Sequence, residues 1–578
     1  MKLVLSMFLS VFLTLHASAS TAATSSLAYD VLIRGGTIYD GSGGKPFIGD
    51  VGIKKDRIAY IGPNATGRAG VVIDARSKAV SAGFINMLAH PEETLMTDGR
   101  ALSDLTQGVT LEVLGEDSMG PLTPTMRNLL KQRQGDIKYE IAWTTLGGYL
   151  SGLEKRGISP NVASFVGAGT VRTNVLGEND VAPTQAQLRQ MRALVKAAMQ
   201  EGALGVTTAL IYAPNTYATT EELIALATES ARCGGVYSAH MRSEGDKIEV
   251  ALDETIRIAR ASGGPAEIYH LKLGGRANWS KLDGVVTTIE AARASGVRIA
   301  ANMYNYTAGA TGFDAAMPPW VQDGGLEAWI GRLKDPTIRA RVIADMREPN
   351  PTWENLFRHA GGEGTLLLQF KNDKLKPLTG RTLADVARER GLSAEDTIID
   401  LVIEDDSRVG VAYFLMSEEN VRRQIALPWV TFGSDEGGYA PQGVFLQSNP
   451  HPRAYGNFAR LLGRYVRDEK LLPLEQAIHR LTGLAADRLS LADRGRLKRG
   501  NFADVVVFDP NTIADHATFE KPHQLSTGVE QVFVNGIQAL KDGQATGLSS
   551  GRFVRGRAWT GAKGGGCKAS SRDWSWKK

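Results

Sequence analysis

Residues 236–276 read VYSAHMRSEGDKIEVALDETIRIARASGGPAEIYHLKLGGR. Two short β-rich runs, 236–239 and 266–269, lead directly into His240 and His270, and each histidine opens a polar, glycine-containing loop. Between them, residues 247–263 carry apolar side chains at helical spacing and end on a glycine. This is a strand–helix–strand unit with a histidine at the carboxyl end of each strand. In a parallel barrel all such ends open onto one face, where active sites sit. Two neutral imidazoles converging on that face form half of a metal site.

The same unit recurs on both sides. Strands are predicted at 83–88, 109–114, 162–167, 204–209, 236–239, 266–269, 298–303 and 429–434, with amphipathic helical stretches between most of them. This pattern predicts an α/β fold, a (β/α)8 barrel spanning residues 81–487. Two further strand-like runs, 366–370 and 411–415, make the count imperfect, and residues 309–362 read as an insertion after the seventh strand. Residues 28–80 and 488–556 are rich in short strands with turn residues between them. They are expected to pair as one small β-domain that clasps the barrel from both chain ends. Residues 557–578 read as a flexible basic tail.

Composition narrows the function classes. The 578 residues are 43% hydrophobic and 22% charged, with a net charge of +4 and no long basic run, which gives no support to nucleic-acid binding. Residues 1–23 follow a leader pattern: Lys2, an apolar stretch over 3–15, and small residues at Ala17, Ala19 and Ala23. The mature chain is predicted to begin at Ser20 or Thr24, in the periplasm or outside the cell. The apolar stretch is too short to span a bilayer, and no stable membrane insertion is expected. Cys233 falls at a helix end and Cys567 in a glycine-rich tail, so neither a structural bridge nor a thiolate metal site is expected.

The strand ends together form a constellation. Strand one runs into FINMLAHPEE with His90, strand two into EVLGED with Glu116 and Asp117, and strand eight into TFGSDEGG with Asp435. Two imidazoles and one carboxylate suit a catalytic zinc that keeps an open position. A remaining carboxylate, Asp435, would then handle protons.

These residues sit in motifs that resemble the amidohydrolase superfamily, and within it the N-acyl-D-amino-acid deacylases, or D-aminoacylases. The likeness runs through VLIRGGTIYDGSG, GDVGIKKDRIAYIG, AGFIN, GALGVTTALIY, GGVYSAHMRSEGD, YHLKLGGRANW, the strand-eight GSD, HPRAYGNFARLLGRYVR and RGRLKRGNFADVVVFDP, covering nearly all of residues 28–540. The resemblance implies a distorted barrel with a β-sandwich clasp, a zinc site, and hydrolysis of the amide of N-acyl-D-amino acids. It implies that His240 and His270 bind zinc and that Asp435 is catalytic. The family's strand-two cysteine is replaced here by Asp117, with Glu116 beside it, so the resemblance implies a carboxylate ligand from one of these two acids, Asp117 in the first place and Glu116 as the alternative. The superfamily's strand-one His-x-His reads Leu88-Ala89-His90, so one tightly bound zinc is expected, with His90 left over.

The resemblance also implies that Lys272 and Tyr212 hold the substrate carboxylate. Arg276, in the loop beyond, adds a candidate second charge, and Arg242 with Glu244 reads as an ion pair beneath the site. His451 is a candidate pocket residue; His359, His479, His516 and His523 read as structural. One alternative is a cyclic-amide hydrolase of hydantoinase or dihydroorotase type, which the absence of a lysine in GALGVTTAL counts against. Another is a secreted binding protein that has lost turnover, a reading that rests on Leu88.

Overall fold

A computed structural model describes residues 28–349, 352–562 and 566–567. The leader expected at 1–23 and most of the tail lie outside the described residues. The barrel strands are Phe84–Ala89, Val109–Leu114, Asn161–Ser164 continued by Val166–Gly167, Gly205–Ala209, Val236–His240, Ala266–Ile268, Ile299–Met303 and Val430–Phe432. All pair in parallel. The third strand breaks at Phe165; its first part pairs with strand two and its second with strand four. Strands one and eight meet through Asp435 N–H to Leu88 O at 2.9 Å and His90 N–H to Glu436 O at 2.8 Å. Gly433 permits this approach, since a Cβ there would lie 2.6 Å from the Leu88 nitrogen.

Local chemistry explains the helical layer. The helix Ile248–Ser262 buries Ile248, Ala251, Leu252, Thr255, Ile256 and Ala259 along one face and stops at left-handed Gly263. Each large apolar side chain buried this way contributes about 1.5–3 kcal/mol. The helix Gln185–Glu201 starts with a Thr184–Gln187 capping box. Among the described residues, no helix is long and apolar enough to cross a membrane.

The two chain ends form one branched nine-stranded sheet. Its first strand, Tyr29–Tyr39, pairs on one side with Phe47–Lys54. On the other side it pairs with Ala69–Asp74 over its first half and with Ala79–Ala82 over its second. The switch falls at Gly35–Gly36, where a Cβ on Gly36 would lie 2.4 Å from Val80 Cγ2. The C-terminal strand Val505–Phe508 pairs antiparallel with Ala79–Ala82, which closes the clasp.

Three expectations are corrected. The insertion does not end at residue 362. It fills the chain between strands seven and eight and has its own antiparallel sheet, Ala308–Gly312, Gly410–Phe414 and Thr365–Gln369. The runs at 366–370 and 411–415 belong there, around a separate core that includes Phe313, Trp329, Ile398 and Tyr413. The chain after the last β-domain strand does not trail into solvent at once. Gly556 N–H donates to Gly202 O at 2.8 Å and, inside the expected tail, Thr560 N–H donates to Gln200 O at 3.0 Å. That path brings Cys567 under the helix Thr220–Arg232, and a Cys233–Cys567 disulfide forms where no bridge was expected. The two cysteines are 334 residues apart in sequence, so only the path of the tail reveals the pair.

Candidate functional site

His240 is the last residue of strand five, and His270 follows strand six. His270, Glu116 and Asp435 all hold left-handed backbone conformations, with φ of +35°, +66° and +54°. Such positions are costly for residues other than glycine, and here they turn side chains from strand ends into a shared cavity. His240 Nδ1 and His270 Nε2 each lie 2.8 Å from the same oxygen, Glu116 Oε1. The outer nitrogens face Glu244: His270 Nδ1 is 2.9 Å from Oε1 and His240 Nε2 is 3.4 Å from Oε2. Glu244 in turn takes the Lys272 ammonium at 2.7 and 2.8 Å.

The charges are tightly coupled. Burial alone would raise the Glu116 pKa, but the imidazoles of His240 and His270 hold it well below the usual range. Burial opposes Glu244 in the same way, and His240, Lys272 and His270 bring it down to about 2. Burial and Lys272 would lower His270, yet Glu244, Asp435 and Glu116 raise it to about 9. A cation bound among these groups would take the place of the proton.

A second group adjoins the first. His90 Nε2 lies 3.0 Å from Asp435 Oδ1 and 3.9 Å from Glu116 Oε2. Arg453 Nη1 lies 2.8 Å from Asp435 Oδ2, and the guanidinium stacks 4.3 Å from the Tyr304 ring centre. Burial would raise Asp435, but Arg453 and then His270 hold it far below its ordinary value. Burial opposes the charge on His90 as well; Asp435 and Glu116 nevertheless bring it up to about 10.

Among the described residues, two sets of donors could each hold a metal ion: Glu116 with His240 and His270, and His90 with Glu116 and Asp435. They share Glu116. The strand-two acid that meets the imidazoles is therefore Glu116, not Asp117. The backbone at Glu116 is left-handed and its carboxylate meets both imidazoles, while Asp117 is exposed and takes a 3.4 Å hydrogen bond from Asn215 Nδ2. Leu88 is fully buried and offers no donor.

The other expected residues divide. Tyr212 stands beside the imidazoles, its ring 5.3 Å from that of His240. Lys272 is next to His270, but its charge is committed to Glu244. Arg276 is exposed at the start of a short helical turn and lies apart from the donors. Arg242 pairs with Glu254 at 2.9 Å, so the ion pair expected with Glu244 does not form. His451 sits behind Arg453, contacting Ala308 O through Nε2 and accepting the Arg453 N–H at Nδ1. Burial and Arg453 keep it neutral. Sequence reasoning missed the roles of Glu244 and Arg453. Arg453 stands in the quoted HPRAYGNFARLLGRYVR, yet nothing local marks it as the partner of Asp435.

Known proteins match this chain over most of its length. A family model described as "Amidohydrolase family" matches residues 71–539. A D-aminoacylase of Alcaligenes xylosoxydans xylosoxydans is 35% identical over 537 residues, covering 92% of this chain and 98% of the relative. A D-aminoacylase structure from work on the functional role of its binuclear metal centre, with one-metal activation and second-metal attenuation, aligns with a TM-score of 0.75 at 32% identity, covering 91% of this chain and 99% of that one. The N-acyl-D-glutamate deacylase of Bordetella bronchiseptica, complexed with zinc and a phosphonate inhibitor, aligns with a TM-score of 0.74 at 29% identity and the same coverage.

Proposed function

The chain belongs to the amidohydrolase family and is a hydrolase of carbon–nitrogen bonds, and from that premise we propose that it is a zinc-dependent deacylase of N-acyl-D-amino acids. The observation that carries the reading is the convergence of two imidazoles and one carboxylate beside a separate buried aspartate. Nitrogen and oxygen donors in this number fit a catalytic zinc. Glu116, His240 and His270 would hold it, and Glu244 would fix the orientation of both imidazoles from behind. When bound, zinc supplies a Lewis acid that polarises the amide carbonyl and acidifies water.

The chain's own groups do the rest. Asp435 accepts a proton from the attacking water and returns it to the departing nitrogen, which is too basic to leave unprotonated. Arg453 and His90 keep Asp435 ionised between turnovers. Lys272 keeps its expected role toward the substrate carboxylate although Glu244 pairs with it, and a second cation of the same kind, paired with Asp435 at 2.8 Å, is Arg453. Its guanidinium is 2% exposed, and its Nε is buried with no hydrogen-bond partner among the described residues. Fixing the carboxylate on one side of the metal sets which hand of α-carbon is accepted.

Zinc-loaded protein is expected to release D-leucine from N-acetyl-D-leucine at least about a hundredfold faster than L-leucine from its mirror image, roughly 2.7 kcal/mol of discrimination. Chiral chromatography of the products measures this. Binding of N-acetyl-D-leucine with no turnover would replace the reading with the binding-protein alternative that Leu88 favours.

Export to the periplasm or beyond is part of the proposal. The leader pattern and the Cys233–Cys567 bridge support it, because disulfides persist in oxidising compartments. N-terminal sequencing of protein from the native host should begin at Ser20 or near Thr24, and a start at Met1 would overturn the assignment.

A further inference from the structure

The insertion between strands seven and eight touches both loops that leave the metal histidines. Its short helix Leu356–Ala360 is anchored in the insertion core by Leu356 and Phe357. Asn355 caps the helix, its side chain accepting the Arg358 N–H at 3.0 Å. From the two ends of this segment, Glu354 and His359 reach the barrel.

His359 fills a notch between the two loops. A Cβ on Gly245 would lie 2.6 Å from its Nε2, and one on Gly275, where φ is +85°, would lie 2.4 Å from its Nδ1. These glycines follow His240 and His270 at the same spacing. The His359 side chain is 6% exposed; burial, then the charge of Arg358, brings its pKa down to about 4, so it is neutral. Gly274 N–H donates to Glu244 O at 2.7 Å and joins the two loops directly.

Glu354 acts on the first of these loops. Ser243 Oγ donates to Glu354 Oε2 at 2.5 Å and accepts the N–H groups of Gly245 and Lys247 at 3.3 and 3.1 Å. These three bonds fix the backbone on both sides of Glu244, the residue that meets the outer nitrogens of both imidazoles. The placement is costly. Glu354 is buried, and its Oε1 has no hydrogen-bond partner among the described residues. Burial, and after it the charge of Glu244, raises its pKa to about 7 against the hydrogen bond from Ser243. Packing alone does not call for a second acid behind an ionised one, whereas the loop at Ser243 needs an acceptor at that point.

We propose that Glu354 is a positioning residue for the metal site: through Ser243 it holds the loop that aims Glu244 at His240 and His270, so that the insertion sets how tightly the barrel binds zinc. This deepens the zinc-site reading above and rests on it.

The test reads zinc affinity by competition with a chromophoric chelator. Glu354→Ala should weaken zinc by about tenfold, the lower end of the loss that follows removal of a partner that orients a ligand. Glutamine keeps an oxygen for the Ser243 proton, so Glu354→Gln should stay within about twofold of wild type. Added to Glu244→Ala, Glu354→Ala should cause no further loss, because a residue that acts through another is not additive with it. Arg339→Ala, which breaks ion pairs with Asp396 and Asp400 inside the insertion, should leave the affinity unchanged. An undiminished affinity in Glu354→Ala, an equal loss in Glu354→Gln, an equal further loss on top of Glu244→Ala, or the same loss in Arg339→Ala would each overturn the inference. If Glu354→Ala does not fold, Ser243→Ala removes the same hydrogen bond from the other side, with the same loss expected and an unchanged affinity overturning the proposal. Each arm is read on zinc, so a zinc-loaded protein without amide hydrolysis would count against the deacylase reading alone. A wild type that binds no zinc would overturn both.

Discussion

Asp435→Asn is expected to lower amide hydrolysis by about a thousandfold or more while leaving the zinc content unchanged, because base and acid are lost in one substitution. Asparagine keeps the size of the side chain but cannot take the proton from water. Asp435 N–H still bonds Leu88 O, so the closure of the barrel is not at risk. Removing the carboxylate also frees Arg453, which sits 2.8 Å from it. A substrate carboxylate would then be held at least as well, so the loss should appear in kcat and not as a raised KM. Steady-state kinetics with metal analysis on the same preparation reads both. Turnover close to wild type would move the proton-transfer role to His90, whose imidazole is in contact with Asp435.

The second large effect concerns the metal. Dialysed protein should carry about one zinc per chain. His240→Ala, His270→Ala and Glu116→Gln should each bring the ratio near zero, because three donors are the fewest that hold a catalytic zinc. Glu244→Ala should weaken binding by about ten- to hundredfold, as loss of an orienting partner does. His90→Ala should leave the ratio as it was. The reason lies in the neighbouring donor group, which must borrow Glu116 from the first and share Asp435 with Arg453. Leu88 adds nothing where a further imidazole would stand. The comparison is with the D-aminoacylase relative described as having a binuclear centre. A ratio of about two, or zinc loss on His90→Ala, would restore a two-metal site here.

Much of this site was legible before any tertiary structure. His240, His270 and Asp435 stand where strands end, and a parallel barrel brings every such end to one face. The pairing of residues 28–80 with 488–556 followed from strand-rich segments at both ends, and the Val505–Phe508 to Ala79–Ala82 ladder realises it. These features rest on periodicity and punctuation, which act over a few residues and survive whatever the rest of the chain does.

What the linear order left open depended on single dihedral angles and on distant partners. Glu116 and Asp117 are adjacent acids, and with a φ of +66° at Glu116 one meets the imidazoles and the other stays exposed. Lys272 carries a charge in any sequence reading, and only the tertiary structure gives it Glu244 as a buried partner. Arg453 meets Asp435, and Cys233 meets Cys567, across loops whose paths no local propensity encodes. Strand ends are local outcomes of chain stereochemistry. The state and partner of each buried charge are set by desolvation and by neighbours that folding brings in from elsewhere in the chain.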